Sequence, residues 1–508
     1  DGKSELNREF YVKGNVAREA YTGDGLPKPP CAREFVAQSR LCCAITLANL
    51  SLEPRARRAM VFSKAAQALG LLSDTSYGED NQLACAHALC NICSTVAEDG
   101  EGELVQALQD QRVVAAVSMI GAVRASHDTT RRSCAAALAN LLAPRGQARV
   151  MASALADMNA QGLMPTLVRM CRVDDVQTRA YAACALARIS ATAAGRTLLT
   201  GRPVCLRVLF ARTNKQFGWE STNVSTTVGV PGSATQGLPD LQRLRVSERS
   251  KSWHNHNDGH CGALDMLRHC VARIACRLVL ATADCCAVAV DVGALALLVG
   301  IVYTQPSDVQ LNGETRSCIT AIERCARQGT YRAKLAADPR TLDALAAFTL
   351  ERNQPMVSLS AQVSLGLLAW DVDTRVTVSR STSVVCSLVS VAVEHAREKY
   401  IPVEAVAIAR ALFCLVLVPS DSCNWLQVVK LGVLTALISL ETRRGQETLH
   451  VDDIDDDDDA SMCANFELST IAMCALRVIA ERGGDSPEIS LRLRNEGAIE
   501  IVTSVASP

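Results

Sequence analysis

A run of small apolar residues recurs along this chain at nearly constant intervals, and this repeat limits the possible folds more than any other feature. The three clearest copies contain an asparagine near their end, at Asn49, Asn91 and Asn140. A fourth copy has Arg188 at the equivalent position. These four positions are separated by 42, 49 and 48 residues. Periods of about 40–47 residues are typical of stacked helical units, each of which buries its apolar face only against its neighbours. The repeat therefore predicts an all-α array and not several separate globular domains.

Weaker copies follow around Arg277, Arg324, Leu367, Cys414 and Val478. Two of the intervals are longer than the rest, and each contains a polar or acidic insertion whose removal brings it back toward the common period. We therefore expect about nine repeats. The predicted organisation is an extended polar segment (1–34), repeats (35–212), a polar insertion (213–262), repeats (263–444), an acidic insertion (445–460) and a terminal repeat or cap (461–508).

Glycines mark a second position within the repeat. They lie 16 to 22 residues after the recurring runs and directly precede further apolar segments, at Gly162, Gly293, Gly432 and Gly497. Glycine adopts backbone conformations with positive φ at little cost, so a glycine before an apolar run predicts a tight turn that opens a helix.

The Ala-Leu-x-Asn-Leu pattern followed by a glycine turn resembles the armadillo family over roughly residues 35–508. HEAT repeats have a similar period, but the Asn-Leu-Ser run that ends at Ser51 and the glycine turns favour armadillo. The resemblance implies a right-handed superhelical solenoid in which one helix of each repeat lines a concave groove.

Composition agrees with this prediction and narrows the function. Hydrophobic residues make up 49% of the chain but aromatic residues only 4%, so the core must consist of small aliphatic side chains and cysteine. A net charge of −1 argues against general nucleic-acid affinity, which requires a basic excess. Most of the 22 cysteines lie within apolar runs and are expected to act as small hydrophobic residues in a reducing, cytoplasmic location.

No membrane span is predicted. The stretch from Cys285 to Tyr303 is apolar enough to be considered, but Asp291 and Gly293 interrupt it and it falls in register with the repeat.

The resemblance also implies which residues contact a partner. The asparagines of the recurring runs would form a ladder that holds the backbone of an extended peptide, because an amide both donates and accepts hydrogen bonds. The arginines that continue the series would favour acidic side chains. The predicted groove residues are Asn49, Asn91, Asn140, Arg188, Arg277 and Arg324. The alternative is that each asparagine bridges neighbouring helices and each arginine lies on a solvated face.

The two insertions contain lesser signals. His254, His256, His260 and Cys261 are candidate metal ligands, although their tight spacing matches no common structural zinc site and a partner-binding loop is the main expectation. The acidic run Asp452–Asp459 is expected to be solvated because its like charges repel. A second hypothesis is that this run competes with partners for an arginine-lined groove.

The sequence contains no phosphate-binding loop, paired-histidine zinc motif, dinucleotide fingerprint or nucleophile elbow, so we expect no enzymatic activity, catalytic residue or cofactor. The prediction is a scaffold that binds other proteins, by extended or acidic segments, along an armadillo groove. Armadillo scaffolds of cilia and flagella form one such class, with a cytoskeletal or axonemal location and microtubule-associated partners.

The alternative is a nucleocytoplasmic or cargo transport adaptor. Importin-alpha-like adaptors place a tryptophan one turn before each groove asparagine, whereas this chain has Ile45, His87 and Ala136 at those positions.

Overall fold

The computed structural model describes residues 32–73, 78–99, 102–124, 127–143, 148–219, 260–304, 313–349, 351, 354–396, 403–418, 424–447, 459–483, 487–495 and 498. Within these ranges about 89% of the residues are helical and none lies in a strand, which confirms the predicted all-α class. The chain divides into two compact units, a first unit of residues 1–145 and a second unit of residues 146–508.

The described part of the first unit contains seven α-helices. They are α1 (Ala32–Leu52), α2 (Pro54–Phe62), α3 (Ala65–Ser73), α4 (Glu79–Asp99), α5 (Gly102–Asp110), α6 (Val113–Ser118) and α7 (Asp128–Leu141). Helix α6 continues into a π-helical segment over Met119–Arg124. The three helices that carry the recurring runs, α1, α4 and α7, pack side by side in that order, and α3 packs against α6.

The described part of the second unit continues with α8 (Ala148–Ala160), α9 (Leu163–Arg172), α10 (Val176–Ile189), α11 (Ala193–Gly201), α12 (Val204–Phe217), α13 (His260–Val279), α14 (Ala283–Asp291), α15 (Ala294–Tyr303), α16 (Gly313–Arg327), α17 (Gly329–Ala337), α18 (Pro339–Phe348), α19 (Pro355–Trp370), α20 (Val372–Arg380), α21 (Thr382–His395), α22 (Val403–Val416), α23 (Asn424–Val428), α24 (Leu434–Glu447), α25 (Asp459–Gly483) and α26 (Pro487–Asn495). A π-helical segment, Val429–Val433, joins α23 to α24.

Helices in the second unit contact their counterparts three helices further along the chain. The recurring runs and their weaker copies lie on α10, α13, α16, α19, α22 and α25, and each of these helices packs against the next. Helices α12, α15, α18, α21 and α24 form a second such series. The repeat in the sequence therefore corresponds to groups of three helices that stack on their neighbours.

Small side chains allow these helices to pack closely. Ala88 and Leu89 on α4, and Ala183 and Leu186 on α10, are fully buried at the helix contacts. Phe210 is the largest of the fully buried side chains in the described core, where alanine, leucine, valine and cysteine predominate. This agrees with the core composition expected from the low aromatic content.

Side-chain caps determine where several helices begin. The Asp175 carboxylate accepts hydrogen bonds from the backbone N–H of Thr178 (2.8 Å) and from its hydroxyl group (2.6 Å) at the start of α10. Thr192 accepts a bond from the Gly195 N–H (2.9 Å) at the start of α11. Such caps satisfy backbone donors in the first turn that have no partner within the helix.

The glycine turns are confirmed at three of the four predicted positions. Gly162 (φ 98°), Gly293 (φ 98°) and Gly432 (φ 100°) have left-handed backbones at the junction between the second and third helices of their groups. Gly497 lies outside the described residues. Lys64 (φ 61°) and Arg112 (φ 55°) adopt the same conformation at the α2–α3 and α5–α6 junctions. No local pattern predicted these two turns, because neither residue is glycine.

Replacement of Arg112 by glycine is expected to stabilise the first unit by about 1 kcal/mol, since only glycine adopts a left-handed conformation without steric cost. The Arg112 side chain is exposed, so its removal should cost little packing. Urea unfolding followed by circular dichroism would measure the change. Arg112→Ala is the control, because alanine retains the strain. Equal midpoints for the glycine and alanine variants would contradict this explanation.

Some apolar segments meet the length and composition of a membrane span. Among the described residues, one helix qualifies alone, through the window Phe35–Leu52 of α1, of which 17% is buried. Two bent pairs qualify only when each is taken as one span: α14 with α15, bent by 78°, and α20 with α21, bent by 92°. The segment Cys285–Tyr303 that the sequence singled out is thus two helices that meet at a sharp corner by Gly293.

Candidate functional site

The predicted asparagine ladder lies on corresponding positions of α1, α4 and α7 in the first unit. Asn49 is exposed, whereas Asn91 and Asn140 are half-buried. The Asn91 amide donates a hydrogen bond to the Ser51 hydroxyl group (3.0 Å), and the Asn140 amide lies 4.0 Å from the Cys90 sulfur. Asn91 and Asn140 therefore bridge neighbouring helices, as the alternative interpretation expects, while their contact with a ligand remains a prediction.

The ion pair of Arg57 and Glu98 lies beside these asparagines, because Arg57 also donates to the Ser51 carbonyl (2.7 Å). His87 lies one turn before Asn91 on α4, and burial lowers the pKa of its imidazole to about 4. The imidazole is consequently neutral at pH 7 and cannot attract an acidic partner.

The second unit has a different surface, built from arginines on α10, α11 and α13. Burial, followed by the nearby guanidinium groups of Arg273 and Arg196, lowers the pKa of Arg277. The positive charges of Arg188 and Arg273 both lower the pKa of Cys184 and Cys270, two thiols that meet where α10 packs on α13. Arg188, Arg196, Arg273 and Arg277 therefore lie close together, and we refer to these four residues as the arginine cluster.

Two members of the arginine cluster have defined backbone partners. The Arg277 guanidinium donates to the Ala187 carbonyl and so bridges α13 to the last turn of α10. Arg196 donates to the Ser190 carbonyl (3.2 Å) and the Ala191 carbonyl (3.3 Å). Carbonyl groups fix the direction of a guanidinium group without neutralising its charge, so both residues keep their positive charge.

One carboxylate lies beside the arginine cluster. Glu314 on α16 is within the electrostatic reach of Arg273 and contacts His269 through its Oε1 atom, 3.1 Å from Nδ1. Burial raises the pKa of Glu314, although Arg268 and Arg273 act in the opposite direction. Among the described groups that act on Arg277 there is no carboxylate. Arg277 and the neighbouring Arg273 and Arg196 therefore place positive charge on this surface, which suits an anionic ligand.

Arg324 occupies a different environment from the other predicted arginines. It is exposed on α16, and it acts electrostatically on the thiols of Cys286 and Cys325. The structure thus brings together Arg188 and Arg277 and adds Arg273 and Arg196, which the sequence interpretation missed. A signal for Arg273 existed, because residues four apart on a helix share a face and Arg273 precedes Arg277 by four.

Another set of arginines has a structural role that also repeats. In each case the side chain donates to a backbone carbonyl six residues earlier, in or just after the last turn of the preceding helix. The pairs are Arg57 with Ser51 (2.7 Å), Arg196 with Ser190 (3.2 Å), Arg332 with Ala326 (2.8 Å) and Arg375 with Ala369 (3.1 Å). These bonds satisfy carbonyl groups that a helix end leaves without partners. The constant spacing of six residues was visible in the sequence.

The other candidate sites fall largely outside the described residues. His254 and His256 are not described, and of His260 and Cys261 only the backbone of α13 is. Most of the acidic run, Asp452–Asp458, is also outside the described residues. Among the residues that are described, no group of three or more histidine, cysteine, aspartate or glutamate side chains is placed to hold a metal ion.

Comparisons with known proteins add little to this geometry. No protein-family model matches the chain. No curated protein matches it either. One similar solved structure is an engineered protein with 15% sequence identity, which covers 93% of this chain and 92% of its own, at a TM-score of 0.40. Similarity at this level does not establish a shared fold, so the conclusions about this chain depend on its own residues.

Proposed function

We propose that this protein is a non-catalytic scaffold of armadillo-like repeats that binds acidic segments of other proteins at the arginine cluster. The repeat assignment is supported by the three-helix groups and by the left-handed turns at corresponding junctions. The arginine cluster is the observation that carries the binding proposal. The guanidinium groups of Arg273 and Arg196 both act on Arg277, and Arg273 also acts on the carboxylate of Glu314.

The chemistry of the arginine cluster favours carboxylates over other ligands. A guanidinium group presents parallel N–H donors that match the two oxygens of a carboxylate. Arg277 and Arg196 are oriented by backbone carbonyls, so they lose less conformational freedom when a ligand binds. An extended acidic peptide would supply several carboxylates in succession.

A direct binding measurement tests this proposal. A fluorescein-labelled oligoglutamate peptide is titrated with the full chain, and anisotropy reports binding. The double variant Arg188→Gln/Arg273→Gln is expected to weaken binding about a hundredfold or more, because each lost charge-assisted hydrogen bond is worth about 1.5–3 kcal/mol. Raising the salt concentration should weaken wild-type binding in the same direction.

The matched control is Arg207→Gln/Arg380→Gln, which removes the same charge from two exposed positions on α12 and α20. We expect the affinity of this control to stay close to wild type. Equal losses in both double variants would show that only net charge matters, and an absence of wild-type binding would reject the acidic-ligand proposal.

Natural partners can be identified by mass spectrometry of proteins that co-purify with the tagged chain, compared with the Arg188→Gln/Arg273→Gln bait. Partners with acidic segments should be depleted from the variant. Recovery of tubulin or axonemal components would assign the scaffold to the cytoskeleton. Recovery of an import carrier together with basic cargo would instead favour a transport adaptor.

A further inference from the structure

Cysteine thiols pair across neighbouring helices in the described part of the second unit. The paired side chains are hydrogen-bonded to each other, and each pair joins two helices. The pairs are Cys171 with Cys205, Cys184 with Cys270, Cys276 with Cys318, and Cys286 with Cys325. These residues are all free thiols.

One pair differs from the others in its access to solvent. Cys184 on α10 is partly exposed, whereas the other seven paired cysteines are buried. Cys184 and its partner Cys270 on α13 lie beside Arg188 and Arg273, and no carboxylate is among the described groups that act on either thiol. A small polar oxidant can therefore reach Cys184, and the positive charges beside it favour a thiolate.

The hydrogen bond within the pair shifts the pKa values of the two thiols in opposite directions. The Cys270 thiol donates to Cys184 and lowers the pKa of Cys184 to about 6, with Arg188 and Arg273 acting in the same direction and burial opposing them. The same hydrogen bond, together with burial, raises the pKa of Cys270. Cys184 is also the more exposed of the two sulfurs, so it is the one placed to meet an oxidant first, with Cys270 in contact with it.

We propose that Cys184 and Cys270 form a peroxide-reactive pair that closes to a disulfide between α10 and α13. The pair combines an accessible, arginine-flanked sulfur with a second sulfur already at hydrogen-bond distance on the facing helix. This arrangement is that of a nucleophilic cysteine and a resolving cysteine. The proposal does not depend on the acidic-ligand function.

The chemistry takes place in two steps. The Cys184 thiolate attacks one oxygen of hydrogen peroxide, the O–O bond breaks, hydroxide leaves, and the sulfur is oxidised by two electrons to a sulfenic acid. The Cys270 sulfur then attacks the Cys184 sulfur and the S–O bond breaks. The leaving oxygen departs as water with the proton of Cys270. A dithiol reductant reverses the reaction by thiol–disulfide exchange.

The buried pair Cys276–Cys318 is an internal control within the same protein. Its sulfurs are 3.7 Å apart, so proximity alone would permit a disulfide there as well. Cys276 is only 5% exposed and Cys318 is fully buried. The hydrogen bond from Cys276, together with burial, also raises the pKa of Cys318. This pair should therefore resist peroxide while the protein is folded.

Peptide mapping distinguishes the two pairs. The reduced full chain is exposed to hydrogen peroxide, quenched with iodoacetamide and digested with trypsin. Each of the four cysteines then lies in its own peptide, spanning residues 180–188, 269–273, 274–277 and 317–324. The disulfide joining 180–188 to 269–273 is expected to form on the order of tenfold faster than the one joining 274–277 to 317–324, because thiolate fraction and access set the rate.

Two serine variants test the assigned roles. In Cys270→Ser the reaction should stop at the sulfenic acid, which dimedone traps on residues 180–188, whereas Cys276→Ser should leave the reaction of Cys184 unchanged. The wild-type comparison is independent of how well either variant folds. The proposal is overturned if the Cys184–Cys270 disulfide does not form, or forms no faster than the buried pair.

Discussion

Replacement of Gly195 by alanine is expected to destabilise the second unit by about 3–5 kcal/mol, a large effect for the addition of one methyl group. Gly195 is in the first turn of α11, directly after the corner at which α10 ends. A Cβ atom on this residue would lie 1.8 Å from the Ile189 carbonyl oxygen and 2.7 Å from its carbon. Both are backbone atoms, so the clash can be relieved only if the corner opens.

Opening the corner would disturb several interactions at once. The Gly195 N–H donates to Thr192, and the Arg196 guanidinium holds the carbonyl of Ser190. Ile189 is itself buried, so its displacement would disturb core packing. Loss of the arrangement around Arg196 would also disrupt one edge of the arginine cluster.

Gly201→Ala is the matched control, because it makes the same change at the other end of α11. A Cβ atom there would meet nothing within 4 Å. Alanine favours helix over glycine by about 1 kcal/mol in a helix interior, so the control should be neutral or slightly stabilising at this terminal position. Urea unfolding of the two variants, followed by circular dichroism and by tryptophan fluorescence, would compare their stabilities. Similar midpoints for both variants would show that the corner is not rigid.

Replacement of Ala88 by aspartate is expected to cost about 4 kcal/mol or more in the first unit, because it buries a carboxylate without a partner. Ala88 is fully buried on α4, which packs on both α1 and α7. Since stacked helices stabilise one another through their contacts, amide hydrogen exchange should accelerate in α1, α4 and α7 together.

Ala68→Asp on α3 provides the comparison, since Ala68 is exposed and belongs to the same unit. A surface substitution of this kind is expected to change stability by no more than about 0.5 kcal/mol. Acceleration of exchange in α4 alone would mean that the helix contacts do not couple the stability of these three helices.

The sequence predicted those features that depend on local preference or on repetition. The recurring Ala-Leu runs place one long helix at the start of each three-helix group, because alanine and leucine favour helix and form a small apolar face. Gly162, Gly293 and Gly432 predicted left-handed turns for a local conformational reason. Lys64 and Arg112 show the limit of that rule, because the surrounding helices impose the same turn on residues that do not favour it.

The predicted site was only partly recoverable from the sequence. The repeat in the sequence predicted that Asn91 and Arg277 occupy equivalent positions on their helices. The structure shows that each side chain donates a hydrogen bond to the preceding helix of its series. Their partners, Ser51 and the carbonyl of Ala187, lie 40 and 90 residues earlier. No local pattern indicates that such distant groups meet, so the bonding role of these side chains could not be separated from a ligand-binding role.

The tertiary structure alone decided three further properties. Gly300 must be glycine because a Cβ atom there would lie 2.4 Å from the Trp219 side chain, which packs against α15 from the end of α12. Arg273 and Arg196 join the arginine cluster, and Cys184 meets Cys270, because α13 packs on α10 across a long intervening segment. The helices, their period and the glycine turns were predictable because they arise from local energetics and repetition. The charge surface and the thiol pairs arise from contacts between helices distant in the chain, which only the packed structure specifies.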